Sequence, residues 1–388
     1  MSVISLLAVS QPTGVWARLI EWVHSWVGGG YGWTILVLIL LVKLVLSPLD
    51  YLIKHSSKKT NLVQQKTAPQ IAKLRKKYGD NQQLIQEQTQ ALYKREGHNM
   101  FGSCIVMLLN MVFTMVIFFT LFSGLRTLSA YQAIGQYDNL HTAYTTSMYT
   151  TYGSKENYET IAVKVATGEE LTDTEQTTWD AALLAAQEAV QNEWENVSDS
   201  WLWVENIWVN DGKKSPMPTL DALKEMASSS KNEEYINYVN TIADDTSLSY
   251  VEYNTIAAMV SIKTGVWNGY YILAILAVGL SLLSQFINDK ANKQKNKNAQ
   301  QIVDAANPQG KSAWVMKIML PVMMAIFVFT TNAAFGIYVV TNSIMSTLIS
   351  LITTAITNKV FAKRQAEVDE YLAKEAGKIQ KRLNKGAQ

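Results

Sequence analysis

The apolar residues of this chain are gathered into five stretches, each close to the roughly 20 helical residues that cross a bilayer. They are Gly32–Leu49, Ser103–Leu125, Val266–Ile287, Trp314–Thr331 and Phe335–Val360, and the sequence between them is strongly polar. The pattern predicts membrane-spanning helices over 31–49, 103–126, 266–287, 314–331 and 335–360. Ahead of the first, Trp16, Leu19, Ile20, Val23, Trp26 and Val27 recur at helical spacing, with Arg18, Glu21 and His24 off that face, up to Gly28-Gly29-Gly30. Residues 1–30 therefore read as an amphipathic helix lying in the membrane interface, or as a small helix folded onto the protein. No basic residue precedes the short apolar core Met1–Val9, so the first span is expected to do its own targeting.

The polar stretches have patterns of their own. Within 50–102, Tyr51–Tyr78 and Gln82–Glu96 are joined by Gly79-Asp80-Asn81 and end at Gly97-His98-Asn99, the outline of a helical hairpin. Its apolar positions (Leu62, Ile71, Leu74; Leu84, Ile85, Leu92) are too few for a strong core, so it reads either as a mobile basic hairpin or as a solvated charged loop. The long segment 127–265 contains amphipathic stretches at 169–197, 219–230 and 230–245, broken at Pro216 and Pro218. With Trp179, Trp194, Trp201, Trp203 and Trp208 it has aromatic area enough for a compact helical domain.

Charge orients the spans. Averaged over the chain, a net charge of +2 and a mean hydropathy of +0.01 suggest nothing unusual. Counted by segment, Asp50–Gly102 holds 10 Lys/Arg against 4 acids, the connection 288–313 holds 5 against 2, and the tail from Lys359 holds 8 against 4. Tyr131–Gly265 holds 7 Lys, no Arg and 21 Asp/Glu. Because short loops rich in Lys and Arg stay in the cytoplasm, the basic segments, including the tail 361–388, belong inside and the acidic one outside. The fold class expected is an all-α polytopic membrane protein with five spans, N-terminus outside and C-terminus in the cytoplasm. No transit peptide is visible, so the expected location is a bacterial plasma membrane.

Enzyme chemistry has little foothold. Cys104 is the one cysteine and the histidines number four, so no disulfide, cysteine cluster or metal site is expected. There is no HExxH, GxSxG, P-loop or dinucleotide fingerprint, and neither catalytic residues nor a cofactor is expected.

The informative residues are polar groups inside the spans. Lys43 interrupts a run of Leu, Ile and Val, where a lysine at a helix centre costs about 2.5 to 3.5 kcal/mol. Ser47 follows one turn later. Asn110 and Thr114 lie in the second span, and Ser284 and Gln285 near the inner end of the third. In the last span Tyr338, Asn342, Ser346, Ser350 and Thr353 make a polar stripe within about 120° of one helix face. Two readings stay open: Lys43 snorkels inward while Ser and Thr bond their own backbones, or these groups share a hydrated cavity.

A span with a central cation ending in "SPLDY", the basic hairpin "APQIAKLRKKYGDNQQLIQEQTQALYKREGHN", "FGSCIVMLLNMVFTMVIFF", "YYILAILAVGLSLLSQF" and the closing "FGIYVVTNSIMSTLISLITTAITNKVFAKR" together resemble the YidC/Oxa membrane protein insertases. The similarity covers roughly 250 residues, all five spans and the hairpin, and leaves out Tyr131–Gly265. It implies an ATP-independent insertase and chaperone, with a hydrophilic groove open to cytoplasm and lipid and closed outside. Lys43 falls where the family usually has Arg, Tyr338 on its groove aromatic and Gln285 on its third-span amide; Asn110, Asn342 and Ser346 join the expected groove. Lys73, Arg75, Lys76, Lys77, Lys94 and Arg95 are the expected hairpin contacts. The partners implied are nascent membrane proteins, the ribosome and a targeting factor, the Sec translocon and the lipid bilayer, with no nucleic acid beyond the ribosome. Ile39 stands where the family often has Thr, and Met100, Val106 and Val112 replace typical prolines, which makes the groove less polar and the second span less kinkable and suggests a divergent or second-copy member. Rival readings are a small transporter or channel, although no internal repeat is visible, and a receptor acting through its outer domain. Deletion of Tyr131–Gly265 is expected to spare an insertase and disable a receptor.

Overall fold

A computed structural model describes residues 9–79, 81–97, 100–213, 215–242, 247–264, 267–292 and 326–385, together with 319, 322 and 323. Every regular element among them is a helix, and β-pairing is limited to one bridge between Trp201 and Val204. In chain order the helices are α1 (Val15–Val27), α2 (Tyr31–Tyr78), α3 (Gln82–Arg95), α4 (Met100–Tyr152), α5 (Lys155–Thr167), α6 (Asp173–Val197), α7 (Leu220–Ser230), α8 (Glu233–Ile242), α9 (Leu248–Thr264), α10 (Ile272–Asn292), α11 (Ala333–Val360) and α12 (Ala362–Lys385). Tyr31–Tyr78, Met111–Tyr152 and Ala333–Val360 are long and apolar enough to cross a membrane, and Ile272–Ile287 is a shorter apolar helix. The protein is thus an all-α polytopic membrane protein. Half of the predicted fourth span, 314–331, and most of the connection 288–313 lie outside the described residues.

The chain divides into two compact units, and the boundaries cut the apolar segments part-way along. One unit is Met1–Ile39, Phe118–Ala277 and Ala325–Thr341; the other is Leu40–Ile117, Val278–Met324 and Asn342–Gln388.

In the first unit α4 does not stop at the membrane. It is 53 residues long, about 80 Å at 1.5 Å per residue, against about 30 Å of hydrocarbon. Leu125, Leu128, Tyr131, Ile134, Tyr137, Leu140, Tyr144 and Met148 are buried at steps of three or four residues, so the extension is the central strut of the outer domain. Around it α6 buries Trp179, Ala182, Ala186, Val190 and Trp194 along one face. Its start is fixed by a capping box, in which Thr172 accepts from the Glu175 backbone and Glu175 accepts from the Thr172 backbone. Thr219, after the two prolines, caps α7 through the Ala222 N–H. The amphipathic stretches read from the sequence are helical over 173–197, 220–230 and 233–242. α1 buries Ala17, Ile20 and Val23 while Trp22 and Trp26 stay exposed, so one face is packed on protein and another remains free.

In the second unit α2 continues without a break from apolar segment into hairpin. Pro48 has no N–H to give the Leu44 carbonyl, and Ser47 Oγ donates to that oxygen at 2.8 Å instead. Gly79 turns the chain in the left-handed region (φ 56°), and Asn81 caps α3 by accepting from Leu84 N at 3.1 Å. The hairpin borrows its core from elsewhere. α12 and Phe361, just ahead of it, supply that core: Val63, Ala68, Ile71 and Tyr93 pack with Leu92 and Ala376, and Leu62 packs with Phe361, Val368 and Leu372. Gln365 Nε2 donates to Gln65 Oε1 at 3.2 Å, Lys66 pairs with Glu96 at 2.6 Å, and Lys73 with Glu375 at 3.6 Å.

Candidate substrate groove

Lys43 is half-buried on α2. Leu44 and Val45 beside it are exposed, as residues that face lipid would be. The charge acting on it is Asp50, two turns along the same helix, and Lys54 follows one turn further. The sequence reading passed over Asp50, although its place at i+7 from Lys43 puts both on one face. Ile39, one turn before Lys43, is 3% exposed and packs in the core of the first unit.

Four other expected groove residues share Lys43's unit, three of them with described side chains. Gln285 on α10 and Asn342 and Ser346 on α11 are half-buried, and their side chains form no hydrogen bond among the described residues. Ile344, Leu348, Leu351, Ile352 and Ile356 occupy the exposed side of α11, so the polar stripe points away from the apolar face. The stripe is shorter in function than in spacing. Thr353 Oγ1 donates to Ile349 O at 2.7 Å and Thr357 Oγ1 to Thr353 O at 2.8 Å, so these hydroxyls serve their own helix. Ser47 likewise mends the backbone at Pro48. Asn110 lies on α4, but its side chain is outside the described residues, and so is that of Cys104.

Tyr338 falls in the first unit and in a different setting. It is 8% exposed, and its ring lies 6.2 Å from Phe118 and 5.6 Å from Phe335. Phe122 lies 5.0 Å from Phe335 and 6.3 Å from Phe327, so aromatic rings of three apolar segments form one cluster. No residue-level signal marks this cluster in the sequence beyond the phenylalanines themselves.

Of the hairpin cations, Lys73, Lys76, Lys77, Lys94 and Arg95 are exposed and Arg75 is half-buried, its Nε without a hydrogen-bond partner among the described residues. Lys77 lies over the Tyr78 ring at 5.0 Å. No group of His, Cys, Asp and Glu suited to a metal ion exists among the described residues.

The sequence from Trp22, within α1, to Gln176, early in α6, matches the family model described as 60Kd inner membrane protein (residues 22–176). That stretch takes in the first apolar segment, the hairpin, the second apolar segment and the α4 strut. No solved structure matches the chain.

Proposed function

Residues 22–176 carry the 60Kd inner membrane protein domain of the YidC/Oxa1 family of membrane insertases, and from that premise we propose that this chain inserts newly made membrane proteins through a hydrophilic groove holding Lys43. The observation that carries this reading is the state of four polar side chains in one unit. Lys43, Gln285, Asn342 and Ser346 are half-buried on apolar helices, and the last three form no hydrogen bond among the described residues. In lipid each unsatisfied polar group costs several kcal/mol; a water-filled, cytoplasm-facing groove removes that cost.

In such a groove the Lys43 ammonium attracts acidic residues in a substrate's translocated tail, because few solvent dipoles screen it there. The tail then crosses a shortened hydrocarbon barrier, and the substrate's apolar segment leaves sideways, drawn by burial in lipid. Lys is a point charge without the bidentate fork of Arg, so it holds a carboxylate loosely and releases it readily. Asp50 tempers the site by competing for the same cation. The exposed hairpin lysines offer the nascent chain, ribosome or targeting factor a basic surface, and the Sec translocon is a further partner for substrates with large outer domains. The membrane is the bacterial inner membrane, with the N-terminus outside and the C-terminus inside.

The test is insertion of a small substrate with an acidic tail by Lys43→Leu and Lys43→Glu variants. Both are expected to slow insertion about tenfold or more, with Lys43→Glu the worse because like charges repel. Undiminished insertion by both would remove Lys43 from the mechanism.

A further inference from the structure

The loop between α6 and α7, in the acidic outer domain, has a tip that runs against ordinary turn chemistry. Trp201 N donates to Val204 O at 2.8 Å and Val204 N to Trp201 O at 2.9 Å, closing a two-residue turn over Leu202 and Trp203. The first position of such a turn takes a positive φ, which glycine adopts without strain. Here it is a leucine, at φ 54° and 62% exposed. A bulky side chain in that region is an outlier that holds only where its surroundings impose it. Glycine would make the same turn with less strain. What leucine adds is apolar area at the tip, and most of that area is left uncovered by protein.

A second strained tip stands beside the first. Tyr270 and Tyr271, ahead of α10, both have φ 58°. The Tyr271 ring fills the place that a Cβ on Gly212 would take and lies 5.3 Å from Phe329, while Tyr270 is left 58% exposed. The two loops are joined. Glu205 N donates to Asn268 O at 3.0 Å, Asn206 N donates to Asn268 Oδ1 at 2.7 Å, and a Cβ on Gly269 would lie 3.2 Å from Val204 Cγ2.

The height of both tips is fixed by the ends of the apolar segments in the same unit. Asn210 Nδ2 donates to Phe329 O at 2.7 Å and Thr331 O at 2.6 Å, at the end of the fourth segment. Ala333 N and Ala334 N, the first donors of α11, reach Val209 O at 2.9 Å and Ile207 O at 2.7 Å. Asp211 Oδ2 accepts from Leu273 N at 3.2 Å, at the start of α10. Trp201 lies edge-on to Trp33 of α2 at 5.8 Å, a Cβ on Gly32 would collide with the Trp201 indole, and Trp33 itself is 47% exposed. Ends of membrane-crossing segments lie where hydrocarbon gives way to headgroups, the level at which Trp and Tyr rings are favoured.

We propose that this rim of the outer domain is seated in lipid: Leu202, Tyr270 and Trp33 enter the interfacial layer of the leaflet on the acidic domain's side. The partner is a phospholipid surface. Trp201–Asn210 contains no Lys or Arg, so the contact is apolar and aromatic and does not depend on anionic headgroups. Burial of the two tips in that layer offsets the strain at Leu202 and Tyr270. The inference goes beyond substrate insertion and does not depend on it.

An environment-sensitive NBD label on Leu202→Cys, on Tyr270→Cys and, for comparison, on Leu184→Cys tests it. Each variant is the full chain with Cys104→Ser, reconstituted in phosphatidylethanolamine–phosphatidylglycerol vesicles with iodide on both sides. Leu184 on α6 is 70% exposed, more than Leu202, so exposure alone predicts the same behaviour at both. The labels replacing Leu202 and Tyr270 are expected to be quenched about threefold more than the Leu184 label by phospholipid carrying a doxyl group high on its acyl chain, and about threefold less by iodide. If Leu202→Cys does not accumulate, Tyr270→Cys carries the decision. Iodide quenching equal to that of the Leu184 label, without doxyl quenching, overturns the seat. Shielding from iodide without doxyl quenching overturns it too, because protein, a second copy or another partner, then covers the turn. Doxyl quenching in a chain that inserts no substrate upholds the seat and removes the insertase reading alone.

Discussion

At the scale of single residues, hydroxyls that look alike in sequence divide by what the backbone needs. Ser47 and Ser346 both follow the polar spacing of the spans, but Ser47 supplies the donor that Pro48 withholds from Leu44, whereas Ser346 has no bonding partner among the described residues. Ser47→Ala is therefore expected to cost about 1 kcal/mol of stability, seen as a lower thermal midpoint in detergent, with substrate insertion by surviving protein unchanged. Ser346→Ala should do the reverse. Asp199 is the residue whose titration reaches a useful range. Burial is the main cause that pushes its carboxyl up to about 6, against the downward pull of the Trp208 indole N–H and of His24, while Glu21 adds to the rise. The folded protein thus takes up a proton that the unfolded chain takes up only near pH 4, so this group's contribution to stability grows as pH falls from 6 to 4 and is lost above 6. Thermal unfolding of the unaltered chain and Asp199→Asn across that window checks it: the difference between the two should grow as pH rises from 4 to 6, because the variant lacks this group's share of the slope.

Among the elements, α12 changes the meaning of the hairpin. Counting the hairpin's own apolar residues gave too small a core, because its partner stands some 300 positions away in sequence, as the Gln65–Gln365 bond illustrates. Leu372 is 0% exposed in that shared cluster, and Leu372→Ala should cost about 2 to 3 kcal/mol, the low end for a buried leucine because the cluster is small. Faster proteolysis of the hairpin in inside-out vesicles, with the outer domain's cleavage unchanged, would be the readout. The tail's basic composition was plain in the sequence. Its apolar stripe at 361, 368, 372 and 376 follows helical spacing too, but spacing does not say which surface it meets.

For the molecule as a whole, the structure revises the expected result of deleting Tyr131–Gly265. Sequence reasoning treated the outer domain as a separable insertion and expected an insertase to survive its loss. The loop bonds to Phe329, Thr331, Ala333, Ala334 and Leu273 make it part of the span ends, so the deletion should uncap three segments together. Protein carrying the deletion is expected to accumulate poorly in the membrane, and replacing the segment with a flexible linker should not restore it; normal accumulation and insertion would return the domain to the status of an accessory.

Hydrophobic runs, charge asymmetry and a misplaced lysine were enough to determine an all-α polytopic membrane protein and to single out Lys43. These signals are local: a bilayer forces any apolar run of that length into a helix, because lipid offers the backbone no other hydrogen-bond partner. The helices 173–197 and 220–230 were legible for a similar reason, since caps and 3.6-residue periodicity are written within one stretch. Which polar groups lack partners, what covers the hairpin, and where Trp201, Asn206, Asn210 and Asn268 make their bonds were decided only by the tertiary structure. Each of those depends on residues far apart in the chain being brought together, and an asparagine looks the same in sequence whether it meets water or the open end of a helix.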